Sequence, residues 1–413
     1  MSDQMYIARS LDESVLEQNE SGGVLTSILR CALKSGQIDG VVTVKAKNRD
    51  RFSGIPVLIN NPDELLETMG SLHFSVPNIA RFVKEYLQGG SSRRLAVVGK
   101  PCDIRSIIEL QKRNQIDKEN IFLIGVNCSG TISPAIAREI LKKHLKVNPN
   151  DVIEEDIDNG VLTVFLKDGK SKSIDLVKLE KKGIGRRENC TRCEFKIPTF
   201  ADLAFGKWGT EETGGTFVEI FSEKGQNIFD NAVQNRCIGV EKPSKNSIKT
   251  RGEKNQIEID RALEQRVRDF NPIMDMSPSE RLAYWLKEFD KCIKCYGCRD
   301  ACPICYCEEC LLEANRDFLE AGVVPPNALF PLTRLSHVGD SCVNCGQCQD
   351  ACPMDLPLVL LFTLQNDRLS KVFEYKSGTT LGDGPPLNTA MEEELRIDDV
   401  FLDVPSLKKK INK

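Results

Sequence analysis

Apolar and polar positions in the first 235 residues follow two periods in turn. After Ser21-Gly22-Gly23, the positions Leu25, Ile28, Leu29, Ala32 and Leu33 recur at i, i+3, i+4, i+7 and i+8. That is the stripe of an amphipathic helix, and Gly36 ends it. Val41–Val44 then reads as a strand. Leu95–Val98 and Ile121–Val126 are short, wholly apolar runs, as expected of strands buried on both faces. The first breaks at Gly99-Lys100-Pro101-Cys102 into a helix carrying Ile107, Ile108 and Leu110. The second breaks at Asn127-Cys128-Ser129-Gly130, before a helix opened by Ser133 and Pro134. Val152–Ile157 and Val161–Leu166 flank Asp158-Asn159-Gly160, which predicts a hairpin. Strands alternating with helices, plus some antiparallel sheet, make this part α/β.

The pattern changes twice further on. Residues 239–275 are rich in charge and poor in apolar periodicity, which suggests a partly helical surface connector. From about 277 to 372 the chain is cysteine-rich and reads as helical. Ser277-Pro278-Ser279-Glu280 is a capping box, and Leu282, Trp285, Leu286 and Phe289 form one apolar stripe leading to Cys292. The 39 residues between Cys302 and Cys342 carry helix-forming Leu, Glu and Ala up to Gly322, more than a compact β-type ferredoxin needs. The expected division is an α/β domain over 5–240 (parts 5–90 and 91–240), a charged linker over 241–276, a helical domain over 277–372, and a tail over 373–413.

The chemistry lies in the cysteines. Cys292, Cys295, Cys298 and Cys302 precede Pro303, and Cys342, Cys345, Cys348 and Cys352 precede Pro353. Both runs have the C-x2-C-x2-C-x3-C-P spacing, in which three thiolates hold one cubane and the fourth ligates the neighbouring one. The expected sets are Cys292, Cys295, Cys298 and Cys352 for one [4Fe–4S] cluster, and Cys342, Cys345, Cys348 and Cys302 for the other. Zinc also uses CxxC pairs but has no use for the third and fourth cysteines of each run. Cys305, Cys307 and Cys310 remain unplaced. Extra ligands with Cys237 or His337, an alternative register, and shielding thiols all fit.

Seventeen cysteines with this spacing imply a reducing compartment and cluster ligation rather than disulfides. Net charge is −4 and aromatics are few, so neither electrostatics nor stacking points to nucleic acid. The longest apolar stretch, Pro357–Phe362, is far too short to span a bilayer. The chain is expected to be cytoplasmic, with no membrane contact.

A third group of thiols lies in the α/β part. Cys102 and Cys128 fall just past two short strands. If those strands are parallel neighbours, both thiols reach the crevice at the carboxyl edge of the sheet. Cys190 and Cys193 add a chelating CxxC pair. Spacing alone leaves open whether these four are ligands or small core thiols. Gly99-Lys100-Pro101-Cys102-Asp103-Ile104, Asn127-Cys128, Cys190-x2-Cys193 and Phe200-Ala201-Asp202-Leu203 with Gly206 resemble the beta-subunit family of coenzyme F420 hydrogenases and dehydrogenases. Ser21-Gly22-Gly23 and the Thr216–Asn231 stretch look like the same family, over about residues 5 to 240.

The resemblance implies a flavin, FAD, and a proximal [4Fe–4S] cluster on Cys102, Cys128, Cys190 and Cys193. With the two C-terminal clusters that makes three, and F420 is the implied substrate. The expected fold class is thus an α/β flavin and iron–sulfur domain followed by a mainly α-helical domain of ferredoxin type with two [4Fe–4S] clusters. The appended C-terminal module makes the chain most similar to the formate-dehydrogenase members of the family. That implies a molybdenum- or tungsten-pterin alpha subunit as partner, with a heterodisulfide reductase complex as a further one. Other readings are the F420-reacting subunit of a hydrogenase, heterodisulfide reductase or sulfite reductase, or a wiring scaffold without turnover.

Flavin contacts are expected from Ser21, Gly22, Gly23 and Thr26 at a helix start, where backbone N–H groups favour anions. Gly99, Lys100, Asn127, Ser129 and Gly130 are expected in the same crevice. Arg186 and Arg187 offer charge for an anionic tail, as do Lys45, Lys47, Arg49 and Arg51 unless they form a solvated face. No catalytic residue is expected beyond the cofactors. Where many members of the family read Gly-Ser-Lys-Tyr, this chain has Gly70-Ser71-Leu72-His73. His73 is open to two readings, a substitute for the tyrosine or a loop histidine without a role.

Overall fold

The computed structural model describes residues 4–387 except 76, 212, 308–309, 311 and 313–328. The stretch up to Gly322 expected as helix, and the tail from 388 on, lie outside the described residues. Eleven strands are described: β1 (Met5–Ser10), β2 (Gly40–Lys47), β3 (Asp50–Ile59), β4 (Leu95–Gly99), β5 (Ile121–Val126), β6 (Val152–Asp158), β7 (Val161–Leu166), β8 (Ser171–Asp175), β9 (Leu203–Gly206), β10 (Thr216–Ile220) and β11 (Ile238–Glu241). Eight of them form one sheet in the order β11-β1-β10-β9-β5-β4-β2-β3, and β6-β7-β8 form a second, antiparallel one. In the large sheet β2, β4, β5 and β9 are mutually parallel, with antiparallel strands outside them.

The two-residue period decides which face each side chain joins. Ala96 and Ile124 pack with the Val24–Lys34 and Glu223–Gln234 helices on one face. Leu95, Val97 and Leu123 pack with the Ala80–Tyr86 and Pro101–Lys112 helices on the other. Both faces are covered, which is why β4 and β5 are continuous apolar runs.

The stretch expected as a partly helical connector is one thirty-residue helix, Lys245–Met274. Its buried positions include Arg251 and Glu258, which pair with Glu219 and Arg186. Up to Glu258 its buried face is polar, and the buried apolar positions Ala262, Phe270 and Ile273 come only in the second half, so hydrophobic periodicity does not reveal the whole helix.

The capping box at Ser277 is present: its hydroxyl accepts from Glu280 N at 3.3 Å, and the Glu280 carboxylate accepts from Ser277 N at 2.8 Å. The stripe that follows is split, however. Trp285 and Phe289 pack inward in the Pro278–Phe289 helix, whereas Leu282 and Leu286 are 56% and 38% exposed. Two further helices, Leu329–Val338 and Leu358–Val372, complete the core around the C-terminal cysteines. Beyond them the chain returns to the α/β part. Tyr375 and Gly378 donate to the buried Glu109 carboxylate at 2.6 and 2.5 Å, and Arg105 donates to the Ser377 carbonyl at 2.8 Å. Gly378 (φ +68°) lies so close to Arg105 that an added Cβ would meet its carbonyl at 2.4 Å.

Candidate cofactor crevice and three four-cysteine cavities

Register places the first two thiols. Gly99 of β4 lies opposite Gly125 of β5, and Cys102 and Cys128 each follow three residues later. Both therefore emerge at the carboxyl edge of the sheet. A crevice of ≈ 520 Å³ opens there, between that edge and the small sheet, within the usual range for cofactor sites. Ser21, Gly23, Thr26 and Gly99 line it, as do Lys100, Asn127, Ser129 and Gly130. Gly22 sits behind the wall, against Thr216. Gly23 is the left-handed N-cap (φ 66°) of the Val24–Lys34 helix and brings no side chain to the cap. The first-turn N–H groups at that end have no side-chain cap, which suits an anion.

Two assigned side chains are otherwise engaged. Arg186 does not line the crevice. It is buried between Glu180 (2.7 Å) and Glu258 (3.0 Å) and donates to the Ser129 carbonyl (2.9 Å). Its charge is matched, so it braces the Ser129-Gly130 turn from behind rather than meeting a ligand. The Asn127 amide donates to the Phe205 carbonyl and accepts from Arg251, both at 3.1 Å. Arg187 pairs with Asp350, Lys45 with Glu67, and Arg51 with Glu155.

His73 is on the crevice wall, and its Nδ1 is buried without a hydrogen-bond partner among the described residues. Burial depresses its pKa to about 4, against the pull of Asp156. A histidine so depressed contributes stability above its unfolded pKa of 6.5, and that contribution is withdrawn as pH falls toward 4. Between pH 7 and pH 5 the wild-type melting temperature should fall, and His73→Gln should fall distinctly less, a difference on the order of 2 kcal/mol over that interval. Equal falls in thermal melts of the two proteins would refute this. Glu20, also in the wall, is pushed up to about 7 by burial and by Glu154, opposed by the Ser71 N–H.

The structure groups twelve of the seventeen cysteines in three fours. Cys102, Cys128, Cys190 and Cys193 surround one cavity. Cys302, Cys342, Cys345 and Cys348 surround a second, and Cys292, Cys295, Cys298 and Cys352 a third. Among the described residues no three His, Cys, Asp or Glu side chains converge as a single metal ion needs. Thiols standing around a cavity suit a cubane, in which each binds a different iron. Burial pushes the Cys128 thiol up to about 11 and Cys102 well above 9.0, so a bound metal is what would make them thiolates. Cys237 packs with Cys31 against the large-sheet core, which removes it as a partner for Cys305, Cys307 and Cys310.

The four spaces share walls in series. Lys100, Cys128, Gly130 and Thr131 belong both to the crevice and to the Cys102 cavity. Gly130 (φ +109°) must be glycine, since a Cβ would lie 2.7 Å from Arg186 Cδ and 3.2 Å from Cys190 Cβ. Asn344 belongs to both the Cys102 and the Cys302 cavities, and it exchanges hydrogen bonds with Asn189 at 2.9 and 3.2 Å. Arg334 and Phe362 belong to both the Cys302 and the Cys292 cavities. Sequence reasoning missed Asn344, Arg334 and Arg251, because polar residues in helices and loops carry no spacing signal.

A crevice at a parallel-sheet edge that opens in series onto thiol cavities is the architecture of an oxidoreductase subunit. The chain belongs to the coenzyme F420 hydrogenase/dehydrogenase beta-subunit family, whose N-terminal model matches residues 5–81 and whose C-terminal model matches residues 92–246. It is 42% identical to the F420-dependent formate dehydrogenase subunit beta of Methanocaldococcus jannaschii, over 90% of this chain and 96% of that one. It is 38% identical to F420-dependent formate dehydrogenase 1 subunit beta of Methanococcus maripaludis, over 94% and 98%. A chain of the F420-reducing [NiFe] hydrogenase complex from Methanosarcina barkeri has the same fold over 64% of this chain and 91% of its own, with TM-score 0.55 and 20% identity. No helix among the described residues is long and apolar enough to cross a membrane.

Proposed function

We propose that this chain is the beta subunit of an F420-dependent formate dehydrogenase, with FAD in the crevice and three [4Fe–4S] clusters in the cavities. The observation that carries the reading is the shared wall: Cys128 and Gly130 face the crevice on one side and the Cys102 cavity on the other. Bound there, a flavin supplies two-electron hydride exchange with F420 and single-electron exchange with the clusters. The chain's own part is placement. The Val24–Lys34 helix start holds negative charge, and Lys100, paired with Asp103 at 2.6 Å and bound to the Pro77 carbonyl at 3.1 Å, fixes the wall beside it. Arg186 and Glu258 keep the Ser129-Gly130 turn against Cys190. Asn189, Asn344 and the Arg187–Asp350 pair hold the Cys190 loop to the Cys345 loop, so that the cavities stay in line.

The names of the relatives support formate as the electron source; its oxidation is assigned to a molybdenum- or tungsten-pterin alpha subunit, as the family resemblance implies. The native complex, purified anaerobically, should show flavin absorbance and reduce F420 with formate, and a pterin-bearing subunit should co-purify. Filled clusters with no flavin would replace this reading with that of a wiring scaffold. A nickel-bearing partner would replace formate with hydrogen.

A further inference from the structure

Arg334 stands between the two C-terminal cavities. It projects from the Leu329–Val338 helix, lines both the Cys292 and the Cys302 cavity, and is 3% exposed. One terminal nitrogen donates to Cys305 Sγ at 3.0 Å and the other to the Cys298 carbonyl at 3.2 Å. Its Nε has no partner among the described residues. Of the other buried arginines near the cavities, Arg186 has Glu258, Arg187 has Asp350 and Arg251 has Glu219, while Arg105 has no ion pair among the described residues but is held by the Ser377 and Val343 carbonyls and lies over the Phe195 ring. Arg334 has no carboxylate among the described residues, and the groups that act on its charge are the sulfurs of Cys302, Cys305 and Cys298. Cys298 belongs to one four-cysteine set and Cys302 to the other.

A buried cation without an anion beside it is costly. Neutral thiols do not meet that need, whereas iron-bound thiolates do, and each electron added makes a cluster one charge more negative. A fixed positive charge therefore favours the reduced state of whichever cluster it faces. This one faces two. We propose that Arg334 is the shared counter-charge of the two C-terminal clusters, raising the reduction potential of both together. Cys305, outside both ligand sets, is then a positioning residue that holds the guanidinium between them.

The inference rests on the cavities holding clusters, and the test separates the two claims. Redox titration of the full chain, followed by electron paramagnetic resonance alongside iron analysis, reads each centre's midpoint. In Arg334→Gln both C-terminal clusters should become harder to reduce, about tenfold in equilibrium constant, or about 59 mV each for one electron. The Cys102 cluster should not shift, and Arg334→Lys, which keeps the charge, should stay near wild type. Cys305→Asp, which neutralises the arginine in place, should shift both midpoints in the same direction. Arg368→Gln, at an exposed position, is the control and should change nothing.

Unshifted midpoints in Arg334→Gln or in Cys305→Asp with full iron content would overturn the proposal, as would a shift in only one cluster. Loss of the C-terminal clusters in both variants but not in Arg334→Lys would make Arg334 an assembly element, which also overturns it. Absence of those clusters from the wild-type protein would instead remove the reading on which the proposal stands.

Discussion

Cys102→Ala should abolish F420-linked turnover while leaving the two C-terminal clusters in place. Cys102 sits in the first turn of the Pro101–Lys112 helix, on the cavity that shares Cys128 and Gly130 with the crevice. None of the residues lining the other two cavities belongs to that turn. On the proposed reading, the loss should therefore be confined to the junction between two-electron and one-electron chemistry. Iron should fall from about twelve to about eight atoms per chain, four to a cubane. Formate oxidation with an artificial dye, measured on the partner subunit, should persist. Unchanged F420-linked rates in this variant would remove the Cys102 cavity from the electron route.

The largest effect on stability is expected from Glu109→Ala. Its carboxylate is fully buried and receives Arg113 at 2.7 Å, Lys112 at 3.2 Å, the Tyr375 hydroxyl at 2.6 Å and the Gly378 N–H at 2.5 Å. Removing it leaves two buried cations unpaired and two donors without an acceptor. Breaking a buried pair on one side costs about 3–5 kcal/mol. Because Tyr375 and Gly378 belong to the segment after the cysteine-rich helices, that loss should loosen the C-terminal module from the Pro101–Lys112 helix. The check is a lowered melting temperature together with faster proteolysis within residues 373–387. A melt unchanged within about 1 kcal/mol would show that the latch contributes little. Burial raises the pKa of Glu109, but Lys112, Tyr375 and Arg113 outweigh it and leave the group below 4.5. The latch is thus at full strength above that pH and weakens as the medium is acidified through the lower, folded value.

Much of this molecule is legible in its sequence because local rules govern it. Continuous apolar runs mark β4 and β5 as buried strands, Gly22-Gly23 marks a helix start, and Asp158-Asn159-Gly160 marks a hairpin. The spacing before Pro303 and Pro353 foreshadows two of the groups of four, whereas for Cys102, Cys128, Cys190 and Cys193 spacing leaves the matter open and the family resemblance supplies the expectation. Leu282 and Leu286 were misread, since a helical stripe gives the period but not how wide a face the neighbours cover. Arg186 was misread for a related reason. A positive side chain beside two cysteines suggests a ligand for anions, and its neutralisation by Glu258, 72 residues on, is invisible until the long helix is packed.

What the sequence determined alone was the chemistry available: which thiols are spaced for cubanes, which glycines permit close backbone approach, and which strands must be buried. Those properties depend on neighbours a few residues apart. What only the tertiary structure decided was adjacency: that Cys128 and Gly130 form a wall between the crevice and a thiol cavity, that Asn344 and Arg334 join the cavities into a row, and that the charged helix braces the site through Arg251 and Glu258. Adjacency arises from burying polar partners that lie far apart in the chain, and a buried charge selects its partner by packing and desolvation, which leave no periodic trace.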